Sequence, residues 1–152
     1  MSLTKSEPLP ITLGRGVAAG LLGTVVMTAF QKFVEMPLTG RDESYAPIAL
    51  VEKLTPARPK GATRRRLNYA AHFGVGATWG TVHALLARRT GLRGQAAVGT
   101  AFGVFYAGDI AGNTALGLTR PWDWSAQDLL IDVVDKLVLA EAAGLLFDRL
   151  DS

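Results

Sequence analysis

The chain has 152 residues, enough for a single domain of several helices and too few for two ordinary domains. It is 49% hydrophobic and only 19% charged, with 17 glycines and a mean hydropathy above zero, a mixture foreign to water-soluble helical proteins and suggestive of a membrane. The formal charge of +3 would suit nucleic acid, but the basic residues flank apolar runs instead, and the lack of cysteine excludes disulfides, thiolate metal sites and cysteine nucleophiles.

Four apolar runs follow in order, and each predicts a helix. The first, 14–36, begins with Arg15 near its start and ends among Gln31, Lys32 and Glu35, which makes it a marginal span. It does not read as a cleaved signal peptide, because QKFVEMPL stands where a small-residue cleavage site would be needed. Residues 37–63 form one long connection rich in proline and charge. Its short apolar piece PIALVEKL suits either a segment lying on the membrane surface or an ordered lid. The second helix is expected over 67–88. It has neither acid nor base from Leu67 to Ala87, and Arg64, Arg65 and Arg66 precede it while Arg88 and Arg89 close it. About 20 residues is the length a ~30 Å hydrocarbon layer demands of a helix.

The third run, 95–118, lies between Arg93 and Arg120 and holds one charge, Asp109. Trp122 and Trp124 follow it as candidate interfacial anchors. The fourth, 125–150, carries Asp128, Asp132, Asp135, Lys136 and Glu141, so it reads as amphipathic by hydropathy alone. Ser125 and Asp128 predict a capping box at its start. All seven prolines fall outside these runs, as uninterrupted helices require.

Glycine spacing points the same way. Gly16/Gly20, Gly76/Gly80, Gly99/Gly103 and Gly108/Gly112 are GxxxG pairs in three apolar runs. In water each interior glycine costs a helix roughly 1 kcal/mol relative to alanine, whereas in lipid small residues let backbones approach closely. These eight glycines are therefore the expected helix-packing positions, and the chain is expected to self-associate or to bind a membrane-protein partner through such faces.

In hairpin order the end of run one, the start of run two, the end of run three and the start of run four share one side. At ~1.5 Å per residue His72 lies ~8 Å in, Asp132 ~11 Å, and Asp109 and Asp135 ~14–15 Å, with Glu35 at the rim. His83 is eleven residues beyond His72, ~16 Å further along the helix, so the two imidazoles belong to separate sites, and His83 reads as a packed residue. Asp128, Asp132 and Asp135 form one stripe at i, i+4, i+7, with Lys136 placed to pair with Asp132. Tyr106, Asp109 and Asn113 share a face of the third helix, so Asn113 can orient the Asp109 carboxylate. Because a carboxylate facing lipid costs several kcal/mol, these acids should turn inward toward His72, Tyr69, Lys136 or water.

The predicted intramembrane cluster is thus Glu35, His72, Asp109, Asn113, Asp132, Asp135 and Lys136. It suits groups that exchange protons or hold a small cation, and equally a satisfied polar network that fixes helix register. A metal bound by His72 with Asp109, Asp132 or Glu35 matches no recognised ligand spacing. There is no P-loop, HExxH, strand-preceded GxGxxG or nucleophile elbow, so an enzyme is not expected, and no cofactor is assigned. Haem or quinone binding through His72 or His83 is a third reading. Counting Lys and Arg gives Arg41, Lys53, Arg58, Lys60, Arg64, Arg65, Arg66 and Arg120 on the loop side against Lys5, Arg15, Arg88, Arg89, Arg93 and Arg149 opposite, too even to set orientation.

Glu35-Met-Pro37-Leu38 closing the first span, His72 early in a glycine-bearing second span, a small-residue third span ending GLTRPWDW, and an acidic fourth helix together resemble the YagU-like family of small bacterial inner-membrane proteins. The resemblance covers most of the chain and implies a cytoplasmic-membrane location and a link to acid tolerance, with no catalytic residues. The family's fourth helix carries a histidine where this chain has DVVDKL, Asp132 to Leu137, so the resemblance transfers no proton or metal role there. The expected fold is all-α: one integral-membrane domain over 1–152, a four-helix bundle in antiparallel hairpin order with several passes through the bacterial inner membrane, surrounded by lipid and binding no nucleic acid.

Overall fold

The computed structural model describes residues 7–152, which form helices joined by short connections, with no strand among them. Lys5, counted above among the basic residues, lies outside the described residues. Five helices follow: α1 (Leu9–Thr39), α2 (Ala46–Leu54), α3 (Gly61–Thr90), α4 (Gly94–Ala115) and α5 (Ala126–Leu150). Each of the four expected runs coincides largely with one of the four long helices, but the ends differ. Arg64, Arg65 and Arg66 belong to α3 rather than flanking it, since arginine is a good helix former and nothing there stops the helix. At the other extreme, α4 stops three residues before the expected 118. Gly117 takes a left-handed conformation (φ 72°), and the Leu118 N–H folds back onto the Asn113 carbonyl.

Three prolines expected outside helices lie within them, at places where proline is tolerated. Pro10 and Pro47 occupy first-turn positions of α1 and α2, where the missing N–H has no intrahelical partner anyway. Pro37 sits in the last turn of α1, just after a π-helical turn, Gln31–Glu35, in which the Met36 N–H reaches back five residues to the Gln31 carbonyl. The widened turn accommodates a proline that an unbroken α-helix would exclude. It also turns Gln31, Lys32 and Glu35 inward while Phe33, 80% exposed, faces out.

The connection 37–63 is not an open loop. Its apolar piece forms α2 and packs on α3 as a lid, not as a free surface segment. Ile48 is fully buried and its N–H donates to Asn68 Oδ1 (3.1 Å), while Asn68 Nδ2 donates to the Ser44 carbonyl (2.9 Å). Arg64 holds Glu52 through two hydrogen bonds of 2.8 and 3.1 Å, which keep the Glu52 carboxyl below its ordinary value of 4.5.

Helix α1 packs against α3 and α5, and α4 closes the other side by packing against the same two. Neighbours run antiparallel: Gly16 meets Gly80 while Gly20 meets Gly76, and Arg15 reaches Asp151 while Gln31 reaches Asp135. At the α1–α3 crossing the backbones touch. A Cβ on Gly20 would overlap the Gly76 carbonyl, and one on Gly80 would overlap that of Gly16. The other expected packing glycines, Gly99, Gly103, Gly108 and Gly112, behave differently. A Cβ at each meets nothing within 4 Å, so they bring no helix of this chain closer. Gly99 and Gly103 lie on the side of α4 away from Ala97, Val98 and Ala101, whereas Gly108 and Gly112, eleven residues beyond Ala97 and Ala101, continue the packed side to a level where nothing lies against it.

Small residues fill the helix contacts and large ones face outward. The buried side of α1 is Thr12, Gly16, Ala19, Gly20, Gly23, Thr24 and Met27, whereas Leu21, Leu22, Val25 and Val26 are exposed. Bulk enters the core mainly at its middle, where Met27, Trp79, Val98, Leu139 and Ala140 cluster with Phe102 and Phe105. Of the described helices, α1 alone is long and apolar enough to cross a membrane by length and composition. In α3 and α4 the apolar runs are built largely from Ala, Gly, Thr and aromatic residues, and α5 carries the acids, so composition alone does not mark these three as spans.

Candidate functional site

Beneath the lid, between the ends of α1, α3, α4 and α5, lies a cavity of about 290 Å³. All seven residues of the expected cluster line it: Glu35, His72, Asp109, Asn113, Asp132, Asp135 and Lys136. The π-turn of α1 brings Gln31, Lys32 and Glu35, α3 brings Asn68, Tyr69 and His72, and the lid brings Ser44, Pro47 and Leu50.

Within this wall the polar groups form distinct sets rather than one cluster. The largest centres on Lys136, whose Nζ lies 2.8 Å from Asp109 Oδ2 and 2.8 and 3.0 Å from the two oxygens of Asp132. Tyr106 OH donates to Asp132 Oδ2 (2.9 Å), and its ring lies 5.0 Å from the ammonium. Asn113 Nδ2 donates to Asp109 Oδ1 (2.9 Å), the orientation expected from their spacing on α4. One ammonium thus serves two carboxylates drawn from two helices, and a phenol and an amide occupy further lone pairs.

Asp135, one turn beyond Asp132, is held apart from this set. Gln31 Nε2 donates to its Oδ2 (2.8 Å), whereas Oδ1 is buried without a hydrogen-bond partner among the described residues. His72 joins neither acid: its Nε2 lies 3.1 Å from Thr28 Oγ1. Glu35 accepts from Thr39 Oγ1 (2.9 Å) on its own helix. No three His, Asp or Glu side chains among the described residues converge as metal ligands, so the His72–Asp109–Asp132–Glu35 metal set does not assemble. Lys32 sits 4.9 Å over the Tyr69 ring, and Tyr69 OH donates to Glu43 of the lid approach. Asp128 takes no part in the cavity; it closes the capping box with Ser125 and faces Arg41 at 3.8 Å.

His83 lies at a separate level, as its spacing from His72 requires. It is 1% exposed, 5.4 Å from the Phe147 ring and against Gly144, the packed position expected for it. Both of its nitrogens lack partners among the described residues.

Several lining residues carried no sequence signal of their own. Thr28 and Gln31 read as ordinary helix residues until α1 is laid against α3 and α5, and Trp79 reads as core. The interruption of run one by Gln31, Lys32 and Glu35 was the available sign, because three polar residues within five positions of a span need somewhere to point. Compared with protein-family models, curated proteins and solved structures, the chain matches none.

Proposed function

We propose that the chain is a multi-pass integral protein of a bacterial cytoplasmic membrane, an antiparallel four-helix bundle that handles protons or a small cation at the cavity beneath the lid. The observation that carries this reading is the inverted distribution of side chains. Along α1 glycine, alanine and threonine lie between helices while leucine and valine point outward, and Asp109, Asp132, Asp135 and Lys136 of α4 and α5 gather at one cavity. Water rewards the opposite arrangement, and hydrocarbon permits this one because long aliphatics lose nothing there and small residues allow close backbone packing. Charged groups then survive only in mutual contact, as Lys136, Asp109 and Asp132 do. The cytoplasmic-membrane location and a part in acid tolerance follow from the resemblance to the YagU-like family.

Flux of protons or sodium ions into proteoliposomes, compared between the wild type and Asp109→Asn, tests the reading. Flux in the wild type that falls in the variant supports it, and equal flux in both removes the cluster from function. A second reading, a structural or accessory subunit, draws on the exposed Gly99/Gly103 pair, which leaves one side of α4 open to another helix. Under that reading Asp109→Asn leaves flux unchanged, whereas Gly103→Leu abolishes association.

A further inference from the structure

The cavity changes character turn by turn with depth. On α1, Gln31 at the lid end gives way to Met27 one turn deeper; on α5, Asp135 gives way to Leu139; on α4, Asp109 gives way to Phe105; and on α3, His72 gives way to Val75 and then Trp79. All of these line the same space, so its mouth is polar and its floor apolar and aromatic, with the Trp79 and Phe105 rings 4.3 Å apart. At about 290 Å³ it stands at the lower edge of small-molecule pockets, roughly 300–1,000 Å³, room for one ring and a short arm.

Charge selects the head of such a ligand. Six carboxylates line the cavity against three lysine and arginine side chains, which disfavours an anion. Lys136 is already committed to Asp109 and Asp132, so it leaves Asp135 without a cationic partner despite being its neighbour in sequence. The Asp135 Oδ1 is buried and lacks a donor among the described residues, a state that costs free energy until an N–H supplies one. Trp79, 1% exposed, has an indole N–H that lacks an acceptor among the described residues. A bare inorganic cation fits poorly: no three ligating side chains among the described residues converge, and the apolar floor offers it nothing.

We propose that the cavity binds a small amphipathic organic monocation, an amine bearing one aromatic or branched apolar group, with its ammonium on Asp135 and its apolar body against Met27, Trp79 and Leu139. The proposal rests on the reading of this cavity as the place where the protein handles a cation, and it names the chemical class of that cation.

Isothermal titration of the purified full-length protein in detergent with phenethylamine, 2-phenylethanol and 3-phenylpropionate tests it. Saturable phenethylamine binding is expected, ~10-fold or more tighter than either analogue, with a similar loss in Asp135→Asn and none in Glu141→Gln, which lies outside the cavity. Absence of saturable phenethylamine binding, equal or tighter binding of phenylpropionate, or wild-type affinity in Asp135→Asn would overturn it. Should Asp135→Asn fail to fold, the three-ligand ranking on the wild type decides alone. Titration needs no transport, so sodium or proton flux without amine binding defeats only this proposal, and amine binding without flux defeats only the transport reading.

Discussion

Lys136 is the residue on which the polar wall depends. Replacing it with methionine keeps most of the volume but leaves Asp109 and Asp132 facing each other without a cation. The pairs are partly solvated, with Lys136 and Asp109 each 22% exposed, so Lys136→Met should cost about 1–3 kcal/mol, below the ~3–5 kcal/mol of a fully buried pair. Asp109→Asn in the same background should recover part of that loss by removing one repelling charge. Thermal unfolding of single and double variants in one detergent checks both, and additive losses would show that the two carboxylates do not share the ammonium. The glycines make a matched experiment at the same scale. Gly20→Leu must push α1 off α3 where the backbones touch, costing ~3 kcal/mol or more, whereas Gly103→Leu meets open space and should melt at or above the wild-type temperature. Equal damage from both would contradict the packing described.

At the scale of elements, the lid is the part with a condition-dependent hold. Asn68 accepts from the buried Ile48 N–H of α2 and donates to the Ser44 carbonyl, so Asn68→Ala should free α2 while α1, α3, α4 and α5 stay folded. Hydrogen exchange that accelerates across Ala46–Leu54 and nowhere else is the expected pattern. The Glu52–Arg64 tie adds a pH dependence. Because Arg64 keeps the Glu52 carboxyl below 4.5, the tie contributes stability above that value and loses it as pH falls through the lowered one. A spin label at Lys53 should therefore gain mobility as the pH falls through the lowered Glu52 value, and an Arg64→Met variant should be mobile on both sides of it.

These elements also show what the sequence makes legible. Capping at Ser125 and Asp128, the Asp109–Asn113 pair and the Asp132–Lys136 pair all lie within one turn, and local spacing states them directly. Hairpin order and depth sufficed to bring Glu35, His72, Asp109, Asn113, Asp132, Asp135 and Lys136 to one cavity, because rise per residue fixes level even when rotation is unknown. Rotation decides partners, which is why His72 meets Thr28 instead of an acid, and why Asp135 meets Gln31. The glycine pairs failed to discriminate for the same reason. GxxxG reports that a helix has a smooth side, and only the neighbouring helix says whether anything lies against it, as it does at Gly16 and Gly20 and does not at Gly99 and Gly103. The lid escaped notice as a helix because PIALVEKL is short and its anchoring partner, Asn68, is twenty residues away from Ile48.

For the whole molecule, everything turns on the solvent around α1, α3, α4 and α5. Hydrocarbon makes the outward leucines and valines costless, the interior glycines useful and the enclosed charges dependent on one another; water reverses each of these terms. The chain contains no cysteine, so single cysteines at Val25, Thr78, Val104 and Leu137, one exposed position on each long helix, can be spin-labelled without background in liposomes. The account predicts that all four labels collide readily with oxygen and scarcely with a water-soluble nickel chelate. Ready access of the chelate to Thr78, Val104 and Leu137 would contradict it, even with Val25 protected.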